Sequence, residues 1–129
     1  MSAPIRQAGA ALEGVRILDF TSLLAGPFAP MLLGFLGAEI IKIESKAQLD
    51  AARRPPYTYD DPDSSPLFHS LNLNKLSVQL NLKEPVALQL AHRLVSVSDA
   101  VVENMRPGVM ERLGLGYEQL RRLNPSIVM

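Results

Sequence analysis

The sequence has no cysteine and no tryptophan, and only two histidines, His69 and His92, far apart along the chain. Without thiols neither a disulfide framework nor a thiolate metal site can form, and a reducing compartment suits such a chain. Two isolated imidazoles argue against a zinc centre. Neither sign of charge is in excess: 13 Lys and Arg balance 13 Asp and Glu. Binding to a nucleic-acid backbone normally requires a basic surplus, so nucleic acid is not an expected partner. Long apolar runs are also missing. The most apolar region, residues 23–41, is interrupted by Gly26-Pro27, Pro30, Gly34, Gly37 and Glu39, so no membrane span is expected. The opening dozen residues lack the apolar stretch of a secretory signal and are expected to be a flexible terminus, residues 1–12.

What is present is a chain of 129 residues, 47% hydrophobic and 20% charged, enough to bury one core. "GVRILDF", residues 14–20, reads as a buried strand. After "TSLLAGP", Pro27 can open a short apolar helix that Gly37 ends. "AEIIKIE", residues 38–44, is a second strand. Residues 45–66 are rich in proline and charge without apolar periodicity, which predicts a long loop that is functional, packed on a partner or disordered. "LSVQL", residues 76–80, is a third strand. A helix then begins near Pro85, with Val86, Leu90, Leu94 and Val97 at helical spacing. "DAVVE" is a fourth strand, short helices are expected at 108–113 and 117–123, and "PSIVM" begins a fifth strand.

Strands alternating with helices predict an α/β fold with a Rossmann-like parallel sheet and flanking helices. In such sheets ligands bind where the loops leave the carboxyl ends of the strands. Four segments fall there: Thr21–Gly26, Ser45-Lys46, Asn81-Leu82-Lys83 and Asn104-Met105-Arg106. No G-x-G-x-x-G or Walker motif occurs, so an unrelated NAD-binding domain is disfavoured. Helix N-termini with nearby Lys or Arg can nevertheless hold phosphates.

Three stretches, "LEGVRILDFTSLLAGPFAPMLLGFLGAEIIKIE", "NKLSVQLNLKEP" and "SDAVVENMRPGVMERLGLGYEQLRRLNP", resemble in order the class III coenzyme A transferases, a family that includes formyl-CoA and carnitine CoA transferases and the related α-methylacyl-CoA racemases. The resemblance runs from about Leu12 to Met129, and "VENMRPGVMERLG" is its most specific part. It implies that residues 13–129 are the incomplete N-terminal portion of a CoA-binding domain. It also implies an interlocked homodimer in the full-length form, acyl-CoA and a carboxylic acid as substrates, and no cofactor, coenzyme A entering as substrate. The implied location is cytoplasmic, or mitochondrial or peroxisomal in a eukaryote. The family's nucleophilic aspartate lies downstream of "PSIVM" and has no counterpart here; it forms an acyl anhydride and then an enzyme thioester.

By the same resemblance the CoA-binding residues are Leu24 and Ala25 beside the thioester, Ser45 near adenine, Leu80, Asn81, Leu82 and Lys83 under the adenine nucleotide, Asn104, Met105 and Arg106 against CoA, and Arg112 towards its nucleotide part. Each has a plainer reading: loop packing for Leu24 and Ala25, a capped turn for Asn104–Arg106, a solvated helix face for Arg112. Serine at position 45 supplies no charge, and Asn81 stands where many relatives have Asp. Asp19 reads as a carboxylate capping nearby amides, Glu44 as a surface carboxylate at a strand end, His69 and His92 as structural or surface groups, and "RRPPYTY" as a partner contact or a solvated loop. The functional expectation is an acyl-CoA:carboxylate CoA-transferase. A catalytically inactive CoA-binding or interaction module, and a racemase-like enzyme, stand as alternatives.

Overall fold

The computed structural model describes residues 9–129. The first eight positions of the expected flexible terminus lie outside the described residues. Leu12 belongs to the fold, its N–H bonded to Leu36 O at 2.9 Å and its side chain packed against Ile17, Ala38 and Ile40.

Strands β1 (Arg16–Asp19), β2 (Glu39–Glu44), β3 (Lys75–Gln79) and β4 (Ala100–Val102) form one sheet in the order β3-β2-β1-β4. Every pairing is parallel, as the alternation of strand and helix patterns predicts. The expected fifth strand is present only as a bridge of Val128 to Ala100, parallel and on the far side of β4. Five helices accompany the strands: α1 (Ala25–Phe35), α2 (Pro66–Leu71), α3 (Pro85–Val95), α4 (Val109–Arg112) and α5 (Tyr117–Leu123). Pro66 and Pro85 each begin a helix where the missing N–H costs nothing.

The two faces of the sheet differ in kind. On one, Leu18, Phe20, Ile41, Ile43 and Val101 pack with Ala91 and Val95 of α3, Met110 of α4 and Leu120 of α5 in a dry core. On the other, Ile17 and Ile40 share their face with Asp19 and Lys42, which are neighbours in register, and with Glu44. These three charged residues are buried. Their cover is α1, α2 and the segment between β2 and α2.

That segment, residues 45–66, is exposed over most of its length, but Ser45, Asp50, Ala52 and Ser65 are buried and anchor it. It folds back over the sheet through two 3₁₀ turns, Ala51–Arg53 and Pro62–Ser64. Arg53 meets Glu44 with two N–H groups at 3.1 Å each, donates to Asp63 at 2.6 Å, and stacks its guanidinium 3.4 Å from the centroid of the Phe68 ring. Glu44 is therefore a buried, paired carboxylate and not the surface group its place at a strand end suggests. Lys42 Nζ lies 2.9 Å from Asp50 Oδ2 and donates to Thr21 O at 2.9 Å. Lys75 Nζ is fully used, donating to Asp19 Oδ2 at 2.7 Å, Pro27 O at 2.8 Å and Asn72 Oδ1 at 2.9 Å.

Two of these groups, Asp50 and Lys75, titrate away from their ordinary values. Burial is the largest influence on Asp50 and by itself would push its carboxyl up. The Lys42 ammonium and the amides of Ala52 and Leu23 together outweigh it, so the carboxyl is held below the usual carboxylate range. Burial presses the Lys75 ammonium down, and Asp19 only partly offsets this.

Two outcomes follow. Lys42→Met leaves the Asp50 carboxylate buried without its cation and should cost about 3–5 kcal/mol in urea unfolding. Adding Asp50→Asn should recover a measurable part of that loss, with a coupling of about 0.5–3 kcal/mol; strictly additive losses would refute the pairing. Because the folded state holds the Asp50 proton more weakly than the unfolded chain does, its stabilisation is present above about pH 4 and is lost as pH falls further. The urea midpoint of wild type should drop as the pH falls below about 4, and Asp50→Asn should flatten that profile.

Candidate functional site: the carboxyl rim of the sheet

Since all four strands run the same way, the segments that follow them emerge on one rim: Phe20–Leu24 after β1, Ser45 onward after β2, Leu80–Lys83 after β3 and Glu103–Arg106 after β4. The loops named in the sequence reading share this rim, but their residues serve different purposes.

The turn after β1 is held from all sides. Thr21 N–H donates to Asp19 Oδ1 at 2.8 Å, so Asp19 caps a backbone amide as expected, in addition to binding Lys75. Ser22 N–H donates to Asn104 Oδ1 and Asn104 Nδ2 returns a bond to Ser22 O, both at 2.9 Å. This reciprocal pair joins the loops after β1 and β4 and uses two of the hydrogen-bonding positions of the Asn104 amide. Gly26 makes room for it, since a Cβ there would lie 2.6 Å from Asn104 Nδ2. Leu23 N–H and Ser22 Oγ donate to Asp50 Oδ1 at 2.9 and 3.2 Å. Leu24 caps α1 without a side-chain hydrogen bond; Pro27 has no N–H and Phe28 N–H donates to Leu24 O at 3.1 Å, so the N–H groups of Ala25 and Gly26 are the ones left open to solvent or a ligand. Leu24 and Ala25 are exposed at this point.

The other expected residues divide into anchors and open groups. Leu80 is core, 8% exposed. Leu82 and Met105 pack against the same core from the rim, which brings the loops after β3 and β4 onto one apolar support. Ser45 is buried, and its Oγ accepts the Gln48 N–H at 3.0 Å. Asn81 turns its own loop, Oδ1 accepting the Lys83 N–H at 3.3 Å. The ends of Lys83, Arg106 and Arg112 are different: all three residues are exposed, and among the described residues none forms an ion pair. Arg112 stands in the last turn of α4, just beyond the Pro107-Gly108 corner, where Gly108 takes φ +80. The rim therefore combines a rigid turn, an uncapped helix start and three cations with no carboxylate partner, a combination suited to an anion carried on an extended molecule.

Sequence reading missed Ser22, Lys42, Asp50 and Lys75. One signal was available: Asp19, Lys42 and Glu44 interrupt apolar strands at alternate positions, so charge had to gather on one face. His69 and His92 are structural, their Nε2 atoms lying 2.7 Å from Asp63 O and 2.8 Å from Gly114 O. Among the described residues no cluster of His, Asp or Glu could hold a metal ion, and no helix is long and apolar enough to cross a membrane.

Comparison with known proteins matches these features to a family. Mouse (Mus musculus) succinyl-CoA:glutarate CoA-transferase is 44% identical over 119 residues, covering 91% of this chain and 27% of the relative. Formyl-CoA:oxalate CoA-transferase of Afipia carboxidovorans is 38% identical over 119 residues, covering 92% of this chain and 28% of the relative. The chain thus spans little more than a quarter of the length of these relatives. Among solved structures, a CaiB/BaiF family protein from Brucella suis superposes with a TM-score of 0.82 at 32% identity, over 94% of this chain and 32% of that one. Rv3272 from Mycobacterium tuberculosis superposes with a TM-score of 0.81 at 41% identity, over 92% of this chain and 31% of that one. Residues 12–129 match the family model described as CoA-transferase family III, and the chain belongs to that family.

Proposed function

We propose that this chain is the CoA-binding N-terminal portion of an acyl-CoA:carboxylate CoA-transferase, an enzyme that moves CoA from an acyl donor to a carboxylic acid. The observation that carries the reading is the rim, where the uncapped start of α1 and Arg106 lie on segments joined by the Asn104–Ser22 pair, with Lys83 after β3 and Arg112 in α4 as further cations; none of the three forms an ion pair among the described residues. The thioester lies at Leu24 and Ala25. Lys83, Arg106 and Arg112 serve the phosphates. Ser45, Leu80, Asn81, Leu82, Asn104 and Met105 shape the nucleotide cradle mainly through backbone and packing.

The nucleophilic carboxylate is not among residues 9–129 in this reading. Asp19, Asp50 and Glu44 are buried and bonded to Lys75, Lys42 and Arg53, whereas an attacking carboxylate needs a lone pair free to meet the acyl carbon. The working form is a homodimer. In support, one stripe of α1 and its ends, Leu24, Phe28, Leu32, Phe35 and Leu36, is 45–58% exposed, more contiguous apolar surface than a helix normally gives to water. The absence of thiols suits a cytoplasmic setting.

Calorimetric titration with CoA and with 3′-dephospho-CoA tests the reading. Low-salt buffer should reveal CoA binding, Lys83→Ala and Arg106→Ala should each weaken it about tenfold, and added salt should weaken it further. No heat from either ligand at low salt, or unchanged affinity in both variants, would remove the phosphate roles.

A further inference from the structure

The turn that leads into α1 is strained and is held by a residue from a distant loop. Leu23 takes φ +78, a region costly to any side chain with a Cβ. Its backbone is secured by Asp50, whose Oδ1 accepts from Leu23 N–H at 2.9 Å, from Ser22 Oγ at 3.2 Å and from Ala52 N–H at 2.9 Å. Ser22 Oγ also accepts the Ala51 N–H at 2.9 Å. Neutralising Lys42 would need only the other carboxylate oxygen, Oδ2. Two of the three donors on Oδ1 belong to the turn, and the next two residues of the chain are Leu24 and Ala25, at the open start of α1.

We propose that Asp50 is a positioning residue for the thioester end of a bound acyl-CoA: it fixes Ser22 and Leu23 in the left-handed turn that sets where Leu24, Ala25 and the first turn of α1 stand on the rim. The inference rests on the acyl-CoA reading given above and assigns a residue to it that does not touch the ligand. The physical gain is pre-organisation. A turn locked before binding leaves less disorder to be lost on binding, and a strained conformation persists only where its surroundings over-determine it. The cations of the nucleotide end, Lys83 and Arg106 on other loops and Arg112 in α4, form no hydrogen bond or ion pair with Asp50 among the described residues, so the two ends of the ligand should respond differently when the clamp is removed.

The experiment titrates acetyl-CoA and adenosine 3′,5′-bisphosphate, the nucleotide end of CoA without its pantetheine arm, into wild type and Asp50→Ala below the melting onset of both; alanine removes the Oδ1 acceptor, which asparagine would keep. Asp50→Ala should weaken acetyl-CoA about tenfold and change the bisphosphate by less than about twofold. Equal weakening of both ligands, as general destabilisation would produce, or no weakening of acetyl-CoA overturns the inference. So does a wild type that binds the two ligands equally well, since the turn then adds nothing. A wild type that binds neither ligand removes the acyl-CoA reading itself. Leu23→Gly in the Asp50→Ala background should restore most of the lost acetyl-CoA affinity, because glycine adopts φ +78 unaided. A loss that glycine does not rescue would assign the effect to the Lys42 charge and overturn the inference. Should Asp50→Ala fail to fold, Ser22→Ala keeps the Lys42 pair and removes one strand of the clamp; it should weaken acetyl-CoA selectively by about threefold, and unchanged binding in that variant counts against the proposal.

Discussion

The arrangement depends on charge buried against one face of a parallel sheet. Asp19, Lys42 and Glu44 occupy positions that apolar residues would ordinarily fill, and the chain must bring a partner to each. Lys75 comes from the edge strand, Asp50 and Arg53 from the segment after β2. A buried charge without a partner costs several kcal/mol, whereas a well-bonded pair roughly breaks even against apolar packing. The ion pairs therefore contribute less to net stability than to specificity: they decide which segment lies over this face and in what register.

The form of α1 follows from that burden. A helix laid over this charged face has little room for large side chains, and α1 turns Pro27, Pro30, Met31 and Gly34 towards the sheet. Gly34 allows close approach, for a Cβ there would lie 3.2 Å from Ile40 Cγ1. Pro27 contributes its carbonyl to Lys75. Phe28, Leu32 and Phe35 are left on the outer side, while Leu33 packs against Ile17, Ala38 and Ile40. A helix that is apolar throughout would suggest complete burial, but here two prolines, Gly34, Met31 and Leu33 face inward and most of the large side chains face out.

This inversion explains what could be read in the sequence and what could not. The strands were legible because their apolar runs serve an ordinary core, Leu18, Ile41, Ile43 and Val101 meeting on the dry face; α3 was legible as a helix but not in its face, for Val86, Leu90 and Val97 are exposed while Ala87, Leu88, Ala91, Leu94 and Val95 pack inward. The rim followed from topology, since parallel strands send their loops to one side. The segment 45–66 was illegible because charge, not periodicity, folds it. Asp50 and Arg53 look like solvated loop residues until Lys42 and Glu44 are seen to point at them. Helix α2 was missed for the same reason, its one buried side chain, Phe68, being a platform for Arg53. Asn104 was legible as a rim residue, but its bonds to Ser22 were not, because they span 82 positions of sequence.

The same separation orders the candidate site. Polar groups that reach inward are consumed by the scaffold: Asp19, Lys42, Asp50, Lys75 and much of the Asn104 amide have their partners within the chain. Cations that reach outward, Lys83, Arg106 and Arg112, have none among the described residues. A binding surface benefits from this division. Groups already satisfied need not reorganise when a ligand arrives, and groups left unpaired have more to gain from it. The turn at Ser22 and Leu23 stands at the boundary, bonded inward to Asp50 and Asn104 and leading outward to Leu24. Rigidity imposed by the buried charges can reach a ligand through that short stretch of backbone, which ties an electrostatic demand in the interior to recognition on the rim.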